Sequence, residues 1–161
     1  MILIVMGVVG SGKTSVGRLL AQQQGWKFAD ADDFHSPANI KKIRHGISLS
    51  DDDRRPWLRL LRANIANWSS AGVSVVLACS ALKQSYRQEL ATGPDVQFVY
   101  LKGSADLIAR RLHLRQGHFA DGQILASQLA DLEEPQEAIT VDIDKPPEQI
   151  VTEIREKLHL A

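Results

Sequence analysis

Cysteine is almost missing from this chain: Cys79 is the only one among 161 residues. An intramolecular disulfide is therefore excluded and a reducing compartment, the cytoplasm, is expected. Cys79 itself reads as a small buried apolar residue rather than a nucleophile. An excess of either charge is also missing. Lys plus Arg and Asp plus Glu both number 19, for a formal net charge of zero. No global basicity points to nucleic acid or to an anionic membrane surface as a partner. No apolar run approaches the roughly 20 residues of a membrane span. The first residues lack the basic stretch of a secretory signal and enter directly into an apolar segment, so no signal peptide is expected. Neither an internal repeat nor a low-complexity linker interrupts the chain, whose length suits one domain, 1–161, with a sizeable core.

What the sequence does have is concentrated at its start. Ile2 to Met6 is continuously apolar, as a short strand buried on both faces of a parallel sheet must be. The pattern G-x-x-x-x-G-K-T follows at once, running Gly7, Val8, Val9, Gly10, Ser11, Gly12, Lys13, Thr14, and Ser15 begins the continuation into a helix-like pattern. This is a phosphate-binding loop in the context it requires, strand before and helix after. Glycines let successive backbone N–H groups curl around a polyanion, and the helix N-terminus directs its positive dipole end at the same phosphates. Lys13 supplies a mobile cation for the β- and γ-phosphates, and the Thr14 hydroxyl is suited to Mg²⁺. A dinucleotide fingerprint fails on spacing, because Ser15 stands where its third glycine belongs. The site is one for a nucleoside triphosphate.

Strand and helix patterns then alternate, the signature of a parallel α/β sheet. Gly25 caps the first helix, and Trp26–Phe28 reads as a second strand. Ser36-Pro37 opens a short helix that runs to about Arg44 and ends at Gly46. Ser50 and Asp53 form a carboxylate variant of the capping box before a long helix reaching about Ser69. On it Trp57, Leu61, Ile65 and Trp68 make a core face, while Arg55, Arg59 and Arg62 make a solvated one. Val73–Ala78, Val96–Leu101 and Ala138–Ile143 are further strands. Helices are expected over Lys83–Leu90, from a Ser104 cap to about Arg115, and over Pro146–Leu158. Residues 116–130, with glycines at 117 and 122, read as an insertion, a lid covering the site rather than a sheet element. The expected fold is a three-layer α/β/α P-loop NTPase with a five-stranded parallel sheet, its site at the strand C-termini.

The second strand runs into Asp30-Ala31-Asp32-Asp33-Phe34-His35. Three carboxylates beside a polyphosphate would repel it unless cations intervene. Mg²⁺ and a hydroxyl-bearing acceptor are the natural reasons for their presence. Asp30, Asp32 and Asp33 compete for the role of base, with Asp30 alternatively serving the Mg²⁺ shell and Asp33 alternatively solvated. Lys83 and Arg87, spaced i, i+4, suit an anionic acceptor or form an ordinary surface stripe. Arg111 and Arg115 have the same spacing at the lid edge, where guanidinium groups would reach a transferring phosphate.

Several blocks together carry a family resemblance. They are Met6-Gly-Val-Val-Gly-Ser-Gly-Lys-Thr14, Asp30-Ala-Asp-Asp-Phe-His35, Asp51-Asp-Asp-Arg-Arg-Pro-Trp57, Cys79-Ser-Ala-Leu-Lys-Gln-Ser-Tyr-Arg87, Arg115-Gln-Gly-His-Phe119, Ser127-Gln-Leu-Ala-Asp-Leu-Glu-Glu-Pro135 and Val141-Asp-Ile-Asp-Lys-Pro146. The chain resembles the gluconokinases of the compact P-loop type, relatives of shikimate and nucleoside monophosphate kinases. Val9, Thr14 and Ala31 depart from the family's frequent serine, serine and glycine, and none of these changes removes a charge. The resemblance implies Mg²⁺-dependent transfer of the γ-phosphate of ATP to the 6-hydroxyl of D-gluconate. It implies catalytic roles for Lys13, Asp32 and Arg115. It places His35, Arg54, Lys83, Arg87 and His118 with Asp32 around the acceptor. Arg111 and Arg115 fall on the nucleotide and lid side, and Asp142–Pro146 near the adenine edge. It further implies a homodimer. Two readings stand beside it: a kinase for shikimate or a nucleoside monophosphate, and a non-catalytic nucleotide switch. A GTP switch would want Asn-Lys-x-Asp, which Asp144-Lys145 does not supply.

Overall fold

The computed structural model describes residues 1–115 and 119–161. Ile2–Met6 forms strand β1 with all five side chains buried. Leu3 and Val5 enter one core cluster, whereas Ile2, Ile4 and Met6 enter another on the opposite face. A strand covered on both sides has no position left for a polar residue, which is why the run is unbroken. Strands β2 (Lys27–Asp30), β3 (Val75–Ala78), β4 (Val96–Lys102) and β5 (Ile139–Asp142) complete an all-parallel sheet of order β2-β3-β1-β4-β5.

Helices cover both faces. On the side of Leu3 and Val5 lie α1 (Lys13–Gln24), α5 (Ala105–Arg115) and α7 (Pro147–Lys157), which contribute Leu20, Ile108 and Ile154 among others. On the other side α3 (Asp51–Ser70) and α4 (Gln84–Leu90) supply Trp57, Leu61, Ile65 and Leu90. Helix α2 (Pro37–Arg44) and helix α6 (Phe119–Asp131) stand near the carboxyl ends of the strands. From β1 the chain crosses toward β2, whereas from β3 it crosses past β1 to β4. The connections therefore leave two neighbouring carboxyl ends in opposite directions, and a crevice opens between them.

The expected elements are present, with shifted ends. The second strand runs on to Asp30, paired opposite Ala78, because ladder bonding tolerates a polar residue where the strand meets the crevice. The third begins at Val75, since the Val73 N–H is spent on the Trp68 carbonyl at the end of α3. A 3-10 turn, Ala31–Phe34, was not expected; the Asp30 carboxylate caps it by accepting the Asp32 N–H at 3.0 Å. Of the covering segment 116–130, residues 116–118 lie outside the described residues. The part from Phe119 is helical, within α6.

The capping box of α3 is formed in both directions. Ser50 Oγ accepts the Asp53 N–H and Asp53 Oδ2 accepts the Ser50 N–H, each at 3.0 Å. Ser50→Ala should cost about 1 kcal/mol in urea-denaturation stability, with an unchanged denaturant slope.

Candidate active site

The turn after β1 needs glycine for steric reasons. Gly7 has φ +153°, and a Cβ there would stand 2.6 Å from Ser11 Oγ. Gly10 has φ +80°, and a Cβ would press to 2.8 Å on the Leu112 side chain. Only a residue without a side chain lets the loop close on itself at these two positions. Gly7, Val8 and Ser11 are buried beneath the loop. Val9, Gly10, Gly12, Lys13, Thr14 and Ser15 line a cavity of about 320 Å³. Lys13 Nζ donates to the Val8 carbonyl at 3.0 Å.

The opposite wall of this cavity is acidic. Asp30 Oδ2 accepts the Thr14 hydroxyl at 3.2 Å while Oδ1 holds the Asp32 N–H. Asp32 joins the wall beside it, with Cys79, Ser80 and Arg111. Asp32 touches solvent, yet it stands in a cleft walled on several sides. The loss of hydration there raises its pKa above the ordinary carboxylate value; the neighbouring Asp30 charge adds to the rise and Lys13 opposes it. Burial pushes the Cys79 thiol up to about 12, so this wall offers no thiolate nucleophile.

A second, smaller cavity of about 40 Å³ lies next to the first. Asp32 and Ser80 line both, and His35, Arg54 and Trp57 line the smaller one together with α6 residues. Trp57 Nε1 donates to the Ala31 carbonyl at 2.7 Å, and its ring stacks on His35 with centroids 4.4 Å apart. Asn39 Nδ2 donates to the Asp53 carbonyl at 2.8 Å, which orients the amide and makes His35 Nδ1, 3.3 Å away, an acceptor. The histidine proton then resides on Nε2. Burial, helped by the Arg54 charge, holds the His35 pKa down to about 4, so the ring is a neutral donor. Arg54, 8% exposed, donates to Tyr86 Oη at 2.9 Å and to Asp131 at 3.2 Å. Tyr86 in turn donates to Asp51.

The cations of the β3–α4 segment are used differently from expectation. Arg87 lines neither cavity. It is 2% exposed, and its guanidinium donates to Glu137, to the carbonyls of Ala81 and Leu82 and to that of Glu133. Lys83 caps the start of α4, lines neither cavity and pairs with Asp51 at 3.0 Å. The i, i+4 spacing is real, but the turn before the helix swings the two side chains into different surroundings. Arg111 lines the larger cavity and also donates to the Ile143 carbonyl, tying α5 to the segment after β5. The Arg115 side chain and His118 lie outside the described residues. Sequence reasoning missed Gln128, whose Oε1 accepts the phosphate-loop Val9 N–H at 2.6 Å, and Ser127, which meets Ser48 at 2.7 Å. Both lay in a block quoted above, but no residue-type rule assigns a neutral glutamine to a loop 119 positions away.

Thr14 and Asp30 present two hard oxygen ligands at the mouth of the phosphate loop, a set that fits Mg²⁺, which binds through one or two protein oxygens plus phosphate and water. No group of three or more His, Cys, Asp or Glu side chains suited to a metal is present among the described residues.

A model of the shikimate kinase family matches residues 9–159. The thermoresistant gluconokinase of Escherichia coli is 44% identical, over 93% of this chain and 89% of its own. The chain belongs to the gluconokinases, within the wider shikimate kinase family. Two crystal structures agree: a sugar kinase from a Janibacter species (46% identity, TM-score 0.91, 99% of this chain and 95% of that one) and a gluconokinase from Sinorhizobium meliloti (39%, 0.84, 98% and 94%). This gluconokinase-family chain is a P-loop kinase. No helix among its described residues is long and apolar enough to cross a membrane.

The neutral His35 has a consequence for stability. Its folded pKa lies below the unfolded value of 6.5, so the unfolded chain binds a proton first. Stability should therefore fall as pH drops from 6.5 toward about 4, by about 3 kcal/mol at most, and then level off with respect to this group. Urea denaturation of wild type and His35→Phe across that window should show a smaller loss in the variant.

Proposed function

We propose that this kinase transfers the γ-phosphoryl group of ATP to the 6-hydroxyl of D-gluconate, giving 6-phospho-D-gluconate and ADP. One observation carries the reading: Asp32 and Ser80 are a wall common to the phosphate-loop cavity and to the pocket holding Arg54 and His35. Gluconate has a carboxylate at one end and a primary hydroxyl at the other. The small pocket has room for one end of such a molecule, and Arg54 brings a positive charge suited to the carboxylate. His35 Nε2–H offers a donor to a hydroxyl. The other end of the acceptor then reaches Asp32, beside the phosphates.

There Asp32 orients the 6-hydroxyl and accepts its proton as the oxygen forms its bond to phosphorus. Its raised affinity for protons makes it a better base than an ordinary surface carboxylate. The loop N–H groups and Lys13 hold the phosphates, and the Lys13 charge follows the group being transferred. Arg111 serves the nucleotide side of the cavity. Thr14 and Asp30 would hold Mg²⁺, which when bound neutralises charge on the β- and γ-phosphate oxygens. A cytoplasmic location without nucleic-acid or membrane partners belongs to the same reading, supported by the balanced charge and the single cysteine.

A coupled ADP-release assay with Mg·ATP tests it. Gluconate should give turnover, while shikimate and nucleoside monophosphates should not; turnover with either of those instead overturns the acceptor. Asp32→Asn should lower kcat by about 10²–10⁴ with little change in the KM for ATP. In the wild type the acid limb of the rate profile should lie above the ordinary aspartate range, since only the deprotonated carboxylate accepts the proton, and Asp32→Asn should abolish that limb. Lys13→Ala should keep its fold by circular dichroism and lose most turnover even at saturating ATP.

A further inference from the structure

The most buried cation that the chemistry above leaves unused is Arg87. Two of its four hydrogen bonds go to the turn that leaves β3 and two to the segment after α6. Nη1 donates to the Ala81 carbonyl at 2.8 Å and to the Leu82 carbonyl at 3.1 Å. Nη2 donates to the Glu133 carbonyl at 2.8 Å, and Nε to Glu137 at 2.8 Å. The Leu82 carbonyl also accepts the Glu133 N–H at 2.8 Å, so the turn and the segment after α6 are stitched from both sides.

The turn needs holding. Ala81 has φ +46°, one of two non-glycine residues in the left-handed region among those described, and it is only 1% exposed. An L-residue with a Cβ resists that conformation, and it persists only where surroundings over-determine it. The residue just before it is Ser80, which lines both cavities. A relaxed Ala81 would turn the preceding peptide and carry Ser80 away from the junction.

We propose that Arg87 is a positioning residue for phosphoryl transfer: its guanidinium fork holds Ala81 left-handed and so sets Ser80 between the phosphate loop and the acceptor pocket. The inference rests on the kinase reading above. A lysine keeps the charge but not the planar array in which Nη1 reaches the Ala81 and Leu82 carbonyls while Nη2 and Nε hold Glu133 and Glu137. A displacement of about 1 Å at a reacting centre is enough to cost about 10²-fold in rate.

Arg87→Lys, assayed beside wild type with gluconate and Mg·ATP, should lower kcat by about 10- to 100-fold while the KM for ATP stays within about twofold. Adding Ala81→Gly should recover most of kcat, because glycine takes the left-handed conformation unaided. A merely structural arginine would lower the melting temperature, leave kcat of the folded enzyme intact and show no rescue; that result overturns the proposal. If Arg87→Lys does not fold, Glu137→Ala removes the partner of Nε at a half-exposed carboxylate; a fall in kcat of about threefold or more is expected, and an unchanged kcat overturns the proposal. Wild-type enzyme inert toward gluconate would instead count against the functional reading. Normal wild-type turnover with an unaffected Arg87→Lys kcat counts against this inference alone.

Discussion

Parallel pairing of β1 with β3 is the constraint on which the rest depends. Its register puts Val5 opposite Ala78, so both strands release the chain at the same level. The glycine loop therefore leaves β1 beside the Cys79–Ser80 turn that leaves β3. The register of β2 on β3 brings Asp30 to that level as well. Three loops distant in sequence meet on one short edge because two ladders are in step. No side-chain contact needs to bring them there, and the apolar burial of β1 and β3 keeps the edge from slipping.

At that edge the electrostatics are divided between two neighbouring carboxylates. Asp30 is occupied on both oxygens by the Thr14 hydroxyl and the Asp32 N–H. Asp32, two residues on and beyond the start of the 3-10 turn, faces the shared wall of the cavities and holds its proton more tightly. One short turn thus gives two aspartates different surroundings, which is how chemically identical groups acquire different duties.

The sheet, the phosphate loop and the helix caps were legible in the sequence because they rest on local rules: short unbroken apolar runs, glycine where φ is positive, Ser and Asp three apart. What was not legible depends on distant partners. Arg87 reads as a surface or acceptor cation on spacing alone; its burial follows from carbonyls and carboxylates some fifty residues later, at Glu133 and Glu137. Lys83 is likewise captured by Asp51 from the start of α3. His35 was placed with the acceptor by resemblance, but its tautomer comes from Asn39 and its neutrality from burial and the Arg54 charge. Strand ends moved for a related reason, since hydrogen-bond ladders continue as long as a partner strand is present.

Helix α6 touches three regions at once. Gln128 reaches the phosphate loop at Val9, Ser127 reaches Ser48 ahead of α3, and Asp131 reaches Arg54 at the smaller cavity. A single helix that touches both cavities couples their occupancies to whatever extent a ligand in either one shifts it. Whatever free energy the acceptor spends or gains in shifting this helix is felt by the nucleotide, and reciprocity requires that the nucleotide return the same factor to the acceptor. Order of addition would then be a matter of kinetics, while the cooperativity between the two substrates would be a property of the helix.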